Sequence, residues 1–536
     1  MHPSDTTSRA QHPRTPARTR APNSALRALL EETEWTQAAF AHAITRLGAE
    51  VGLHLRYDRT SVAHWLRGSR PEPRVRHLIA EALSRRLGRP VAVADLGMRG
   101  PRGAHGARSH TGSRTRRGGE TGGDEGSEEG SDGSGDWSGR PAHPADRLTA
   151  LTAPVVPPPR ADTPPPAPYS LTLLRVAPGA SASPSGPGCP RGPGGADTPE
   201  RADQAPEEAG SGLGTLRATP ARRGVRRSDP GEVASLHEHA RFFAQQADRH
   251  GGGHIRTSLA AYLSGLVRTL REGEDGAHQR GMLAGSARLS FLLARVYADE
   301  RRQGLAQRAF LTAAELAAEG ADPEGVALAR RALSSQAHQL GHARESVALA
   351  ESACEAAPAD ADPSTRSFLY AGLAVAKAGQ GERVQALEAL RRAEHQLARA
   401  PADLTTGPGA PGGESVGSYQ DAALLYQSSH VRTALGDRGG AIRDLRSSLR
   451  SRPAGERRSR ALCQAELAEL LLACGRLEEA CASWKVFLED CAQVRSGRAV
   501  EARSRMPGLL RPYARERCVQ SLLAQTNPLA GGRRSG

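Results

Sequence analysis

The sequence predicts an all-α protein: a small N-terminal helical bundle, a long linker expected to be disordered, and a C-terminal α-solenoid of helix pairs. Three observations predict it. Apolar residues recur at helical spacing from Asn23 to about Leu96. Between Gly97 and about Asp229 that spacing gives way to Gly, Pro, Ser and charge. From Gly231 almost to the C-terminus, Ala- and Leu-rich helical patterns return and repeat. The organisation read from these shifts is a basic tail over 1–22, a bundle over 23–98, a linker over 99–230, a repeat domain over 231–525 and a last tail over 526–536.

Composition agrees with partial folding, since 59 Gly, 37 Pro and 4% aromatics limit how much of 536 residues can bury a core. Basic residues outnumber acidic ones 72 to 58, and only Lys377 and Lys485 among them are lysine. A chain this basic favours polyanions, nucleic acid foremost, and its Arg, Ala and Gly bias suits a high-GC bacterial genome. The seven cysteines are odd in number and form no C-x-x-C pair, as expected in a reducing cytoplasm. No signal peptide and no run of 18 apolar residues is read, so secretion and membrane insertion are not expected.

In the bundle, Leu26, Leu29 and Leu30 mark one face of a first helix. Thr36 is placed to cap a second, whose stripe runs Phe40, Ala43, Ile44, Leu47 and Val51. A short loop, "GLHLRY", then leads to Asp58, which caps a third helix. In that helix Val62 and Trp65 point inward, so Arg59, Thr60, Ala63 and His64 face out, as on a helix reading base edges in a major groove. A fourth helix buries Leu78, Ile79, Ala82, Leu83 and Leu87 and ends at Gly88.

"WTQAAFAHAI", "DRTSVAHWLRG" and "RPEP" together resemble the XRE-type helix-turn-helix of bacterial repressors. The resemblance implies base reading by Arg59, Thr60 and His64, and phosphate contacts by Gln37, Arg67 and Arg70. It departs from that family in a longer second helix and a longer turn.

The linker carries a basic patch, "RSHTGSRTRRGG", an acidic one, "ETGGDEGSEEGSDGSGD", and one apolar island, "YSLTLLRVA", from Tyr169 to Ala177. The island reads as incidental, with docking as the alternative. A flexible tether of about 130 residues spans roughly 60 Å, so the halves are expected to communicate through effective concentration and not through rigid contact.

The repeats align on a small residue in the second helix of each pair: Ala306, Ser346, Ala386, Ala441 and Ala480, spaced 40, 40, 55 and 39 residues apart. A glycine precedes four of these anchors by five residues, at Gly341, Gly381, Gly436 and Gly475. Large residues accompany them, including Tyr297, Phe310, Leu390, Trp484 and Phe487. The 55-residue step contains an inserted loop, Pro401 to Ser418. Small residues where helices cross, with Pro358 and Pro453 closing their units, resemble the tetratricopeptide repeat, although the period here is longer. The resemblance implies a concave groove, lined by the first helices, that binds a protein or peptide segment.

Bundle, linker and degenerate repeats in this order are similar to an actinobacterial group of regulators of NsdA type. That implies a cytoplasmic, nucleoid-associated transcriptional regulator in development or secondary metabolism. The expected partners are double-stranded DNA, a protein or peptide, and a second copy as a candidate homodimer. No enzyme activity, membrane, cofactor or metal is expected. The alternative is a repeat scaffold whose bundle does not bind DNA specifically. "GESVG" at Gly413 to Gly417 echoes serine hydrolases but lies in a Gly/Pro loop, and "HGGGH" at His250 to His254 lacks further metal ligands. Cys463, Cys474, Cys481 and Cys491 read as helix filling, with redox sensing as the alternative.

Overall fold

The computed structural model describes residues 22–51, 53–98, 143–155, 168–175, 230–272, 276–400 and 421–526. The basic tail, both charged patches, the "GESVG" loop and the C-terminal tail lie outside them. Every regular element among the described residues is helical.

The bundle consists of α1 (Ser24–Glu32), α2 (Gln37–Glu50), α3 (Arg59–Leu66) and α4 (Pro73–Leu87), followed by a 3-10 turn, Val93–Leu96. Its first three helices begin where side chains satisfy their first N–H groups, and α4 opens on Pro73 without a side-chain cap. Thr36 accepts from Ala39 at 3.1 Å, and Asp58 accepts from Ser61 at 2.9 Å. Buried Asn23 does more than cap α1. Its Oδ1 accepts from the Leu26 N–H, its own N–H donates to the Leu66 carbonyl, and its Nδ2 donates to the Leu96 carbonyl. One residue thus ties the start of α1 to the ends of α3 and the 3-10 turn. Leu26, Phe40, Ile44, Val62, Ile79 and Leu83 form the shared core.

The longer turn between α2 and α3 is folded back. The Leu53 N–H donates to the Gly48 carbonyl at 2.8 Å, and Leu53, Leu55 and Tyr57 pack on the core. Gly48 makes room for this, since a Cβ there would lie 2.5 Å from the Leu55 methyl.

Two stretches within 99–230 depart from the linker expectation. Helix α5 (Pro144–Thr152) lies against the later helices, with Ala145, Leu148 and Leu151 buried among them and Arg147 paired to Glu315 and Glu319. Residues 168–175, including the single turn α6 (Thr172–Arg175), bury Tyr169, Leu171 and Leu174 in the same core. The apolar island is a docked segment, because its three large side chains find apolar neighbours that periodicity within the linker could not reveal.

The C-terminal array begins with α7 (Pro230–His250) and α8 (Gly252–Glu272). Five pairs follow: α9 (Ala277–Asp299) with α10 (Gln303–Glu319), α11 (Pro323–Gln339) with α12 (Ala343–Ala356), α13 (Pro363–Gln380) with α14 (Arg383–Leu397), α15 (Asp421–Ala434) with α16 (Arg438–Ser451), and α17 (Arg457–Ala473) with α18 (Leu477–Cys491). Helices α19 (Gly497–Leu510) and α20 (Arg517–Thr526) cover the last pair. Each helix packs on its partner and on the next pair.

Each anchor is the fourth residue of its second helix, and all five are fully buried. Serine is accepted at such crossings because its hydroxyl finds a partner on the facing helix: Ser346 meets the Ser334 hydroxyl at 3.3 Å, while Ser367 donates to the Ala393 carbonyl and Ser448 to that of Ala422. The glycines five residues earlier have φ of 74 to 86°, which reverses the chain between helices. In the first pair Arg301 takes that seat at φ 66°, a conformation costly for a side-chain-bearing residue.

The ends of the array meet. The Arg495 N–H donates to the His250 carbonyl at 2.8 Å, and the Gly253 N–H donates to the Arg495 carbonyl at 3.1 Å. Asp299, at the end of α9, takes the Arg458 guanidinium at 2.6 and 2.7 Å and the Ser496 hydroxyl at 2.9 Å on one oxygen. This seam explains "HGGGH": a Cβ on Gly251 would lie 2.3 Å from the Arg495 carbonyl, and one on Gly252 would press on Val296.

Candidate nucleic-acid interface

The interface rests on the short helix α3. Asp58 and Ser61 cap each other reciprocally at its start, and hydrogen bonds from Ser61 hold the Asp58 carboxyl below its ordinary pKa. Val62, Trp65 and Leu66 are buried, and the Trp65 ring meets Tyr57 edge-on at 5.0 Å, so the helix cannot rotate without breaking the core.

That fixes what faces water. Arg59 and Thr60 are the first two residues of α3, His64 follows one turn on, and all three side chains are exposed. Arg67, the C-cap, is exposed and folds back with its Nε on the Ala63 carbonyl at 3.2 Å. Arg70 is exposed in the turn before α4. Gln37 is exposed as the first residue of α2, where free N–H groups favour an anion. The six residues therefore lie at the start of α2, along α3 and just after it. Exposed His42, Arg46, His54 and Arg56 add cationic or titratable groups nearby in the chain.

Helix α4 meets the array. Arg85 holds Glu50 through both guanidinium ends at 2.9 Å and Glu81 at 2.7 Å. Buried Glu81 in turn lies 3.5 Å from the ring of His342, in the turn between α11 and α12. The His342 ring stacks on Tyr169 at 5.3 Å. The expectation of a purely flexible tether is corrected here: the bundle has a seat on the array, made partly by the apolar island of the linker. Sequence reading missed Glu81, Arg85 and His342, because a charged residue on one helix gives no signal of a partner 261 residues away.

A second polar group lies on the first helices of the array. Glu466 accepts from the Tyr426 hydroxyl at 2.5 Å and faces the His430 Nε2 at 2.7 Å, with Arg498 at 3.9 Å. Burial and the neighbouring carboxylate push the Tyr426 phenol well up, while His430 keeps the Glu466 carboxyl below its usual range against the opposing effect of burial. Burial and His430 lower the His338 pKa.

Among the described residues no cluster of His, Cys, Asp or Glu could hold a metal, and no helix is long and apolar enough to cross a membrane. The class these elements define is an all-helical protein with a small N-terminal bundle seated on a helix-pair array. The family described as the SP15 N-terminal domain matches residues 26–99, which is the bundle alone. Among curated proteins no sequence matches the chain.

Proposed function

We propose that the chain is a DNA-binding transcriptional regulator of XRE-like type. Its α3 reads the major groove, and its tetratricopeptide-like array binds a partner. The observation that carries this reading is the solvent face of α3: Arg59, Thr60 and His64 are exposed on a helix locked by Val62 and Trp65, with Arg67 and Arg70 beside it and Gln37 at a helix start. Phosphate contacts position such a helix and base contacts give it sequence preference. The polar group around Glu466 supports a role for the first helices in holding a protein or peptide. The resemblance to actinobacterial regulators points to development or secondary metabolism as the process.

The test is genome-wide DNA capture with the purified full chain, followed by affinity measurements at fixed salt. Arg59→Ala is expected to cost about 1–3 kcal/mol on the captured site, the range for a bidentate arginine contact to guanine. Gln37→Ala is expected to weaken all sequences alike. Unchanged affinity of Arg59→Ala, or no selective capture at all, would leave the scaffold reading in its place.

A further inference from the structure

Residues 168–174 are held as a short peptide is held by a receptor. The Ser170 N–H donates to the Gln307 Oε1 at 2.9 Å, and the Gln307 Nε2 donates to the Ser170 carbonyl at 2.8 Å, so one buried amide reads both backbone groups of one residue. This two-point contact is the pairing that an added strand makes with a sheet edge, supplied here by a side chain. Tyr169 fills a slot closed by the His342 ring, and Leu171 and Leu174 enter the apolar core of the array.

The slot also closes the seat of the bundle. Tyr169 is inside the electrostatic reach of Glu81 and Arg85, and His342 touches both Tyr169 and Glu81. Two polar atoms in this cluster, the Tyr169 hydroxyl and the His342 Nδ1, are buried with no hydrogen-bond partner among the described residues. Groups that give up water and gain no partner make a contact costly to keep, so the seat is poised to open.

We propose that residues 168–174 are an intramolecular ligand of the array, a strap whose release undocks the bundle and frees its α3 surface to orient independently. The regulatory meaning rests on the DNA-reading proposal, while the strap and the docking do not.

The experiment uses the full chain and two readouts, amide hydrogen exchange over 168–175 and 340–346 and the small-angle scattering profile. Ser170→Pro removes the donor and leaves the array sequence untouched. Gln307→Glu keeps the size of the clamp but turns its donating nitrogen into an oxygen facing the Ser170 carbonyl. Both, and an excess of synthetic peptide spanning residues 168–175 added to the natural chain, are expected to speed strap exchange at least tenfold and to lengthen the largest interatomic distances. The melting temperature of Ser170→Pro is expected to stay within a few degrees of the natural chain, separating release from unfolding. Strap exchange unchanged in Ser170→Pro, or release with no change in scattering, overturns the proposal. Neither readout involves DNA, so failure of the DNA-reading proposal would appear separately, as the absence of selective capture by the natural chain and by the released variants alike.

Discussion

The seam that joins the array's ends and the seat that holds the bundle both unite residues far apart in sequence, yet they are made differently. At the seam the backbone of Arg495 is bonded on both sides, and Asp299 gathers a guanidinium and a hydroxyl on one oxygen. At the seat a ring stacks on a ring and a histidine stands 3.5 Å from a carboxylate. Both junctions bury polar atoms that have no hydrogen-bond partner among the described residues, the second Asp299 oxygen at the seam and the Tyr169 hydroxyl and His342 Nδ1 at the seat. What separates them is that the seam is tied by backbone hydrogen bonds and a charge-assisted pair, which are stronger and more directional than a ring stack and one long polar contact. The seam is therefore read as a structural closure, and the seat as the contact proposed to exchange.

The largest effect is expected at Asp299. Asp299→Asn leaves the Arg458 cation half of a broken buried pair, and Arg458 has no other ion pair among the described residues. A loss of about 3 kcal/mol is expected in urea unfolding of the full chain, as for other buried pairs stripped of one partner. A loss well under 1 kcal/mol would show that the seam carries little of the fold.

Gly251→Ala attacks the same seam through the backbone. With φ at 84° and the Arg495 carbonyl in the way of a Cβ, a cost of about 2 kcal/mol is expected from strain and displacement together. The loop around Arg495 should then lose hydrogen-exchange protection; if it keeps it, the approach is looser than described.

Glu81→Gln is the counterpart at the seat. Arg85 keeps both bonds to Glu50, so no buried cation is left unpaired and thermal unfolding should register about 1 kcal/mol, the scale of one hydrogen bond. An effect as large as that of Asp299→Asn would erase the distinction between the two junctions.

The smallest change is a gain. Ala321, exposed in the turn between α10 and α11, sits at φ 53°, and Ala321→Gly should stabilise by about 0.5–1 kcal/mol by relieving the left-handed conformation. Differential scanning calorimetry should show a slightly higher melting temperature, and a lower one would mean that the turn is not strained.

Much of the local architecture was legible in the sequence. The caps Thr36 and Asp58, the inward pair Val62 and Trp65, and the five anchors each obey a rule acting within a few residues, and the structure places them accordingly. The glycine rule found four of the five reversals and missed the one at Arg301, because a left-handed seat filled by an ordinary side chain leaves no compositional mark. The seam was invisible for a different reason: its contacts join residues 159 to 245 positions apart, and no periodicity reports a meeting at that distance. "HGGGH" reads in the sequence as a candidate for chemistry, whereas its glycines serve a close backbone approach. The six residues of the candidate interface could be named because exposure follows from which neighbours are buried. What they touch depends on a partner, and one chain's sequence does not encode that partner's surface.

The seam also limits how the gene can change. An open stack of helix pairs grows or shrinks by duplication or loss of a unit, since each unit contacts only its neighbours. Here the corner at His250 and the loop at Arg495 must arrive at the same place, so an extra pair anywhere between α9 and α18 would carry Arg495 past its mates. The number of pairs is set by closure, as the number of staves is set by a hoop. Length variation among descendants of this gene should therefore collect between helices, as at residues 401–420 between α14 and α15, while the tally of pairs stays constant.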